Sequence, residues 1–338
     1  MSELQKRVVI CVNHISQDCG GLASMARLTA KVLAENGFIV DILTRVDDGL
    51  FKCPNVKIHR CPSLLQSLKS ILHADYVICE GAIFRLCWPL MFVPKKSMVV
   101  KHGVRNSSSV FRRIIEYWLS LNCKWTAVSE FVAEKEFIKS TVVPNAYDPA
   151  VFRPFNAAKR DKDLIFVGSL TEEKGVFVLL EAVEKLLKAG KQINWLTLVG
   201  GGCEHNRILS KWERSLHELG CQLRLTGNVN SHEVARLLNC HKVLVAPSMN
   251  IRWEEAFGLV ALEGLACGCK VVVSNSGGLP EALGSCGFVS KCGDVDDLSR
   301  CIEDALDPTT NIDKGRVKMH LSKYTPDRLL DAYLKILK

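Results

Sequence analysis

Apolar residues along this chain come in short unbroken runs, and between the runs they recur at about every third or fourth position. Residues 8–12 form the first run, residues 22–35 a stretch of helical period, and residues 38–43 a second run closed off by charged residues and glycine. The unbroken runs predict strands and the periodic stretch a helix. Further strands are predicted at 76–79, 98–101, 125–127 and 141–143. Because the runs are continuous rather than alternating, the strands are expected to lie parallel with helices on both faces. A sheet of that kind presents ligands at the carboxyl ends of its strands.

From 149 to 162 the chain turns polar, with Pro154 and a cluster of charges, which reads as a linker. Strand and helix then alternate again, with strands predicted at 164–168, 195–199, 222–225, 242–246, 270–273 and 288–290. The last run, 327–337, places Leu329, Leu330, Tyr333, Leu334 and Leu337 on one helical face. No short tandem repeat is visible. The pattern predicts an α/β chain of two doubly wound, Rossmann-like domains facing each other across a cleft. The first is expected over 1–152, joined by a C-terminal helix at 325–338, and the second over 153–324.

Composition agrees with that size. A chain of 338 residues with 48% hydrophobic and 24% charged residues is long enough for two ordinary cores. The longest uncharged apolar stretch, 86–93, contains Pro89 and is far short of the roughly 20 residues of a spanning helix. The N-terminus reaches a strand at once and carries no signal-peptide pattern, so a cytoplasmic location is expected. The fifteen cysteines are scattered through apolar stretches, without Cys-x-x-Cys spacing, as expected of reduced core thiols. Net charge is +8, and residues 1–150 carry 19 Lys and Arg against 13 Asp and Glu, leaving 25 against 23 for the rest. A basic N-terminal half attracts an anionic acceptor or a membrane surface. Nucleic acid is not expected, since no binding motif or aromatic-interleaved basic cluster is present. The basic, aromatic stretch 111–119 fits a membrane-facing helix or an internal core helix, and both readings stay open.

The chemistry concentrates at Glu255 and Glu263, eight residues apart, where a turn containing Phe257 and Gly258 opens a helical run at Leu259. A carboxylate in the loop and one on the helix, about two turns apart, can share a cleft. The helix N-terminus offers free N–H groups to a diphosphate, and the carboxylates suit the hydroxyls of a sugar and a ribose. The spacing alone is better explained by an ordinary amphipathic helix with one exposed Glu. Gly20 and Gly21 stand between the first strand and first helix, where backbone N–H groups can face phosphate. His102 ends a strand before Gly103, and its imidazole is expected to project from the carboxyl edge. Asp294 and Asp296 have the spacing of a metal-binding pair, but they begin a helical stretch, so capping explains them and no metal site is expected. Gly200-Gly201-Gly202 is not a dinucleotide fingerprint.

The segments Ala246-Pro247-Ser248, Glu255-Ala256-Phe257-Gly258-Leu259, Leu262-Glu263 and Ser274-Asn275-Ser276-Gly277-Gly278-Leu279-Pro280-Glu281 resemble the donor-site signature of the family-4 retaining glycosyltransferases. Matches at Gly20-Gly21, His102-Gly103, Val128-Ser129-Glu130-Phe131, Pro144-Asn145, Phe166-Val167-Gly168-Ser169-Leu170 and Lys174-Gly175 keep the family's order over nearly the whole chain. The resemblance implies the GT-B fold and transfer of a mannosyl- or glucosyl-type hexose from a GDP- or UDP-sugar to a glycan or glycolipid hydroxyl, without cofactor or metal. It implies that Glu255 and His102 orient the sugar, Glu263 holds the ribose and Lys174 the diphosphate, beside Gly20, Gly21, Phe257, Gly258 and Leu259. The family has an arginine where Ser169 stands, so one cation is missing unless Arg252 or another basic residue is its substitute. The base is expected at 226–228. An epimerase of the same fold and a weakly catalytic nucleotide-sugar-binding scaffold are the alternatives. Peripheral membrane contact and a homodimer are left open as partners.

Overall fold

The computed structural model describes residues 5–16, 20–104, 110–156, 158–251 and 254–338. They form two compact units, Met1–Ala146 with Tyr324–Lys338, and Tyr147–Lys323. The division falls before the polar stretch read as a linker. Asn239 explains this: it accepts from Phe155 N at 2.8 Å and donates to Arg153 O at 3.0 Å, tying residues 153–155 to the second unit.

The N-terminal unit is built on seven strands: β1 (Arg7–His14), β2 (Ile39–Val46), β3 (Val56–Arg60), β4 (Tyr76–Glu80), β5 (Lys96–Lys101), β6 (Lys124–Ala127) and β7 (Thr141–Val142). They lie parallel in the order β3-β2-β1-β4-β5-β6-β7. Chain direction across the sheet reverses between β1 and β4, the position where a doubly wound sheet opens a crevice. Strand interiors such as Val9, Ile10, Ile42, Val77 and Val99 are fully buried, as the continuous apolar runs require. β3 has no counterpart among the predicted strands. Its sequence, Val-Lys-Ile-His-Arg, alternates and is only half-buried, because it is the edge strand. The C-terminal helix, Pro326–Leu337, buries Leu329, Leu330, Tyr333 and Leu337 against the helix Gly20–Glu35 and β5 of this unit.

The C-terminal unit carries β8 (Lys162–Val167), β9 (Trp195–Val199), β10 (Gln222–Leu225), β11 (His241–Ala246), β12 (Lys270–Ser274) and β13 (Phe288–Ser290), all parallel, in the order β10-β9-β8-β11-β12-β13. Its switch point lies between β8 and β11. The helix Val176–Lys188 turns Leu179, Leu180, Val183 and Leu186 onto Phe166, Leu198 and Val245. Full burial of each such leucine stabilises the unit by about 1.5–3 kcal/mol. The described cysteines are free thiols, and most lie buried or half-buried. Among the described residues no helix is long and apolar enough to cross a membrane.

Candidate functional site

The carboxyl ends of β8 and β11 flank the switch point of the C-terminal unit, and the two loops that leave them meet there. The loop after β8 closes in a 3-10 turn, Glu172–Lys174, ended by Gly175 in the left-handed region at φ 71°. A β-carbon on Gly175 would stand 1.8 Å from Pro247 O, so only glycine lets this loop reach the one after β11. Glu173 O accepts from Met249 N at 2.7 Å and fastens the two together. In this setting Lys174 Nζ donates to Glu255 Oε2, from a residue 81 positions away in sequence. Ser248 Oγ lies 3.4 Å from the same oxygen. Both partners keep access to solvent, with side chains 37% and 21% exposed.

A third loop, after β12, supports Glu255 from below. Gly278 N donates to Glu255 O at 2.7 Å, and Gly277, at φ 55°, lies so close that a β-carbon there would stand 1.9 Å from the same carbonyl oxygen. We expect Gly277→Ala to push the Glu255 loop out of place and to lower turnover at least ~100-fold, in line with the cost of misplacing a positioned group by about 1 Å. Retention of wild-type kcat by a folded Gly277→Ala protein would show that Glu255 does not need this placement.

Gly258, at φ 95°, leads into the helix Leu259–Cys267, whose start carries no side-chain cap and leaves first-turn amides available to an anion. The Phe257 ring is 1% exposed. The ring therefore belongs to the core, and its backbone lies in the turn that leads into the helix Leu259–Cys267. Leu259 is half-buried at the first helical position. Glu263, one turn on, is half-buried in apolar surroundings, and desolvation pushes its carboxyl up to about 7. Ser169 is exposed directly after β8. Asn228 Oδ1 accepts from Gly201 N at 2.6 Å, so this side chain braces the loop after β9 beside the 226–228 backbone expected to meet the base. Arg252, the expected substitute cation, lies outside the described residues.

In the N-terminal unit, Gly20 and Gly21 are the exposed first residues of the helix Gly20–Glu35 that follows β1. His102 does follow the carboxyl end of β5. Its ring turns inward rather than projecting freely, with Nε2 2.5 Å from Glu80 Oε2 and side chains 9% and 0% exposed. The second oxygen of Glu80 is buried without a hydrogen-bond partner among the described residues. Tyr333 packs nearby, its phenol raised well above the ordinary value by burial and then by Glu80. Glu80 is the contact that sequence reasoning missed, while Ser248 stood in the donor-site signature without a partner assigned. Glu80 gave one signal, a carboxylate closing an otherwise apolar strand.

Asp294 caps the helix Val295–Leu306 by accepting from Asp297 N at 2.9 Å, and Asp296 pairs with Lys185. Both acids therefore have the helix-starting roles read from sequence.

The profile of the family described as "Glycosyl transferases group 1" matches residues 148–320. A glycogen synthase of Mycobacterium tuberculosis is 34% identical over 173 residues, covering 49% of this chain and 40% of that enzyme. The chain thus spans less than half the length of this relative. A D-inositol 3-phosphate glycosyltransferase of Pseudarthrobacter chlorophenolicus is 31% identical over 89% of this chain and 86% of its own length. Among solved structures, a glycosyltransferase from Rickettsia africae superposes with a TM-score of 0.78 at 17% identity, covering 99% of this chain and 100% of that one. Anabaena Alr3699/HepE in complex with UDP-glucose gives 0.80 at 14% identity, covering 98% and 99%. With two parallel Rossmann-like sheets and this family match, the chain belongs to the glycosyl transferases group 1 family and has the GT-B fold.

Proposed function

We propose that the protein is a retaining, metal-independent hexosyltransferase that uses a GDP- or UDP-sugar as donor and a glycan or glycolipid hydroxyl as acceptor. The observation that carries this reading is the pairing of Lys174 with Glu255 at the β8/β11 switch point. A nucleotide diphosphate sugar supplies a better partner for each: the distal phosphate for the ammonium, and sugar hydroxyls for the carboxylate. The bond between the anomeric carbon and the phosphate oxygen breaks with its electron pair passing to the phosphate. Lys174 and the N-terminal amides of Leu259–Cys267 stabilise that charge. The acceptor oxygen bonds to the anomeric carbon on the same face, and its proton goes to the departing phosphate oxygen. His102, held by Glu80, orients the sugar, and Glu263 accepts from the ribose. A weakly catalytic binding protein remains the second reading, favoured by Ser169 standing where the family has an arginine.

Titration calorimetry against GDP- and UDP-sugars, with UDP-glucose first because Anabaena HepE was solved with it, followed by transfer and donor-hydrolysis assays, tests the proposal. We expect tight binding of one nucleotide class and turnover that survives EDTA. Loss of turnover in EDTA with recovery on Mn²⁺ or Mg²⁺ would reverse the metal assignment. Binding with neither transfer nor hydrolysis would favour the scaffold.

A further inference from the structure

Helical segments Leu64–Leu72, Phe84–Cys87, Trp88–Met91 and Val110–Asn122 pack side by side over one face of the N-terminal sheet. Their inward residues Ile71, Leu86, Leu90 and Leu119 join the core with Val9 and Val77. The outward side of such a layer is ordinarily polar. Here it is not. On Val110–Asn122, Val110, Ile114, Tyr117, Trp118 and Leu121 are 74%, 49%, 58%, 48% and 59% exposed, and their spacing sets them in one stripe. Phe92, 71% exposed, extends the stripe, because Asn122 Nδ2 donates to Leu90 O and Met91 O just before it. Leu64, Leu65, Leu72 and Phe84 are exposed on the neighbouring helices.

The charges on this layer have one sign. Lys69, Arg85 and Arg113 are exposed on the helices, and Lys96 and Lys124 are exposed beside them at the starts of β5 and β6. The single acid within 64–72, 84–96 and 110–124 is Glu116, which turns inward onto Lys101 at 3.1 Å with its side chain 3% exposed. Scattered exposed apolar residues need no partner, whereas an apolar stripe along a whole helix face with cations beside it does. A second copy of the chain would set cations against cations across a two-fold axis.

We propose that this layer docks on a bilayer surface carrying anionic lipid headgroups. The aromatic and aliphatic side chains enter the headgroup and acyl boundary while the lysines and arginines meet lipid phosphates. The proposal stands apart from the donor assignment, since it concerns a surface of the N-terminal unit alone.

Flotation of the full chain with vesicles of phosphatidylcholine, with and without phosphatidylglycerol, is the test. The wild-type protein is expected to float with the anionic vesicles, and raising salt to about 0.5 M is expected to lower partitioning at least ~10-fold. Trp118→Asp with Leu121→Asp, both at exposed positions, is expected to lower it at least ~10-fold with no change in thermal melting. Arg113→Glu with Lys124→Glu is expected to remove the preference for the anionic vesicles. Failure of the wild type to float with either vesicle type overturns the proposal. So does flotation of the aspartate variant equal to that of the wild type. A dimer that the aspartate variant dissolves, with no vesicle binding, would assign the layer to self-association and overturn it as well.

Discussion

Lys174→Ala is expected to weaken nucleoside diphosphate binding about 10-fold to 100-fold, the loss of one charge-assisted hydrogen bond of about 1.5–3 kcal/mol. Nucleoside monophosphate is expected to lose less, because the lysine is proposed to hold the distal phosphate. The Lys174–Glu255 pair adds a second arm to this result. In the free protein the ammonium is occupied by Glu255, so nucleotide binding must separate the pair. Removing the lysine also leaves the carboxylate unneutralised beside the incoming phosphates. Glu255→Gln is therefore expected to bind nucleoside diphosphate at least as tightly as the wild type while lowering kcat. The double variant should recover part of the affinity lost in Lys174→Ala. Titration of the three variants with mono- and diphosphate reads all of this. Equal small losses for both nucleotides, or none, would leave Lys174 as a partner of Glu255 only and give the leaving group to another cation.

Glu263→Gln is expected to stabilise the C-terminal unit at pH 8 and to weaken nucleotide binding at the same time. Desolvation raises the Glu263 carboxyl from 4.5 to about 7 in the folded protein. An unfolded chain releases this proton near pH 4.5 and the folded chain keeps it to about 7. Stability is therefore lost as pH rises through that window, and the deficit is complete above it. Glutamine removes the deficit. Discounted for the partial exposure of the side chain, the gain at pH 8 is roughly 1–3 kcal/mol, and it should vanish at pH 4. Urea denaturation of both proteins at the two pH values measures it. A desolvated carboxylate kept at this cost is what a ribose-binding group requires, since ribose hydroxyls donate best to the ionised form. Equal nucleotide affinity in the wild type and Glu263→Gln would remove Glu263 from the ribose.

How the site came to be legible follows from which interactions are local. The unbroken apolar runs determined the parallel strands β8, β9 and β11, because a strand covered on both faces has no polar side to show. Glycine placement was equally readable at Gly258, where a positive φ at a helix start admits little else. Asp294 announced its cap for the same local reason. The edge strand β3 was hidden, since half-exposed alternation in five residues looks like loop. The family resemblance named Lys174, Glu255 and His102, but it said nothing of their partners. Only the tertiary structure decided that Lys174 rests on Glu255, that His102 is turned onto Glu80, and that Phe257 faces the core. The Lys174–Glu255 pair depends on loops from different strands arriving at one sheet edge, which the tight approach of Gly175 to Pro247 and of Gly277 to Glu255 sets, and His102 meets Glu80 because β5 and β4 are neighbours. The sequence by itself determined the two doubly wound units and the residue types at their carboxyl edges, because periodicity and turn chemistry act between neighbours. Pairing, burial and the raised carboxyl of Glu263 belong to the fold, because they arise between residues that the chain brings together only when the sheet of their own unit is formed.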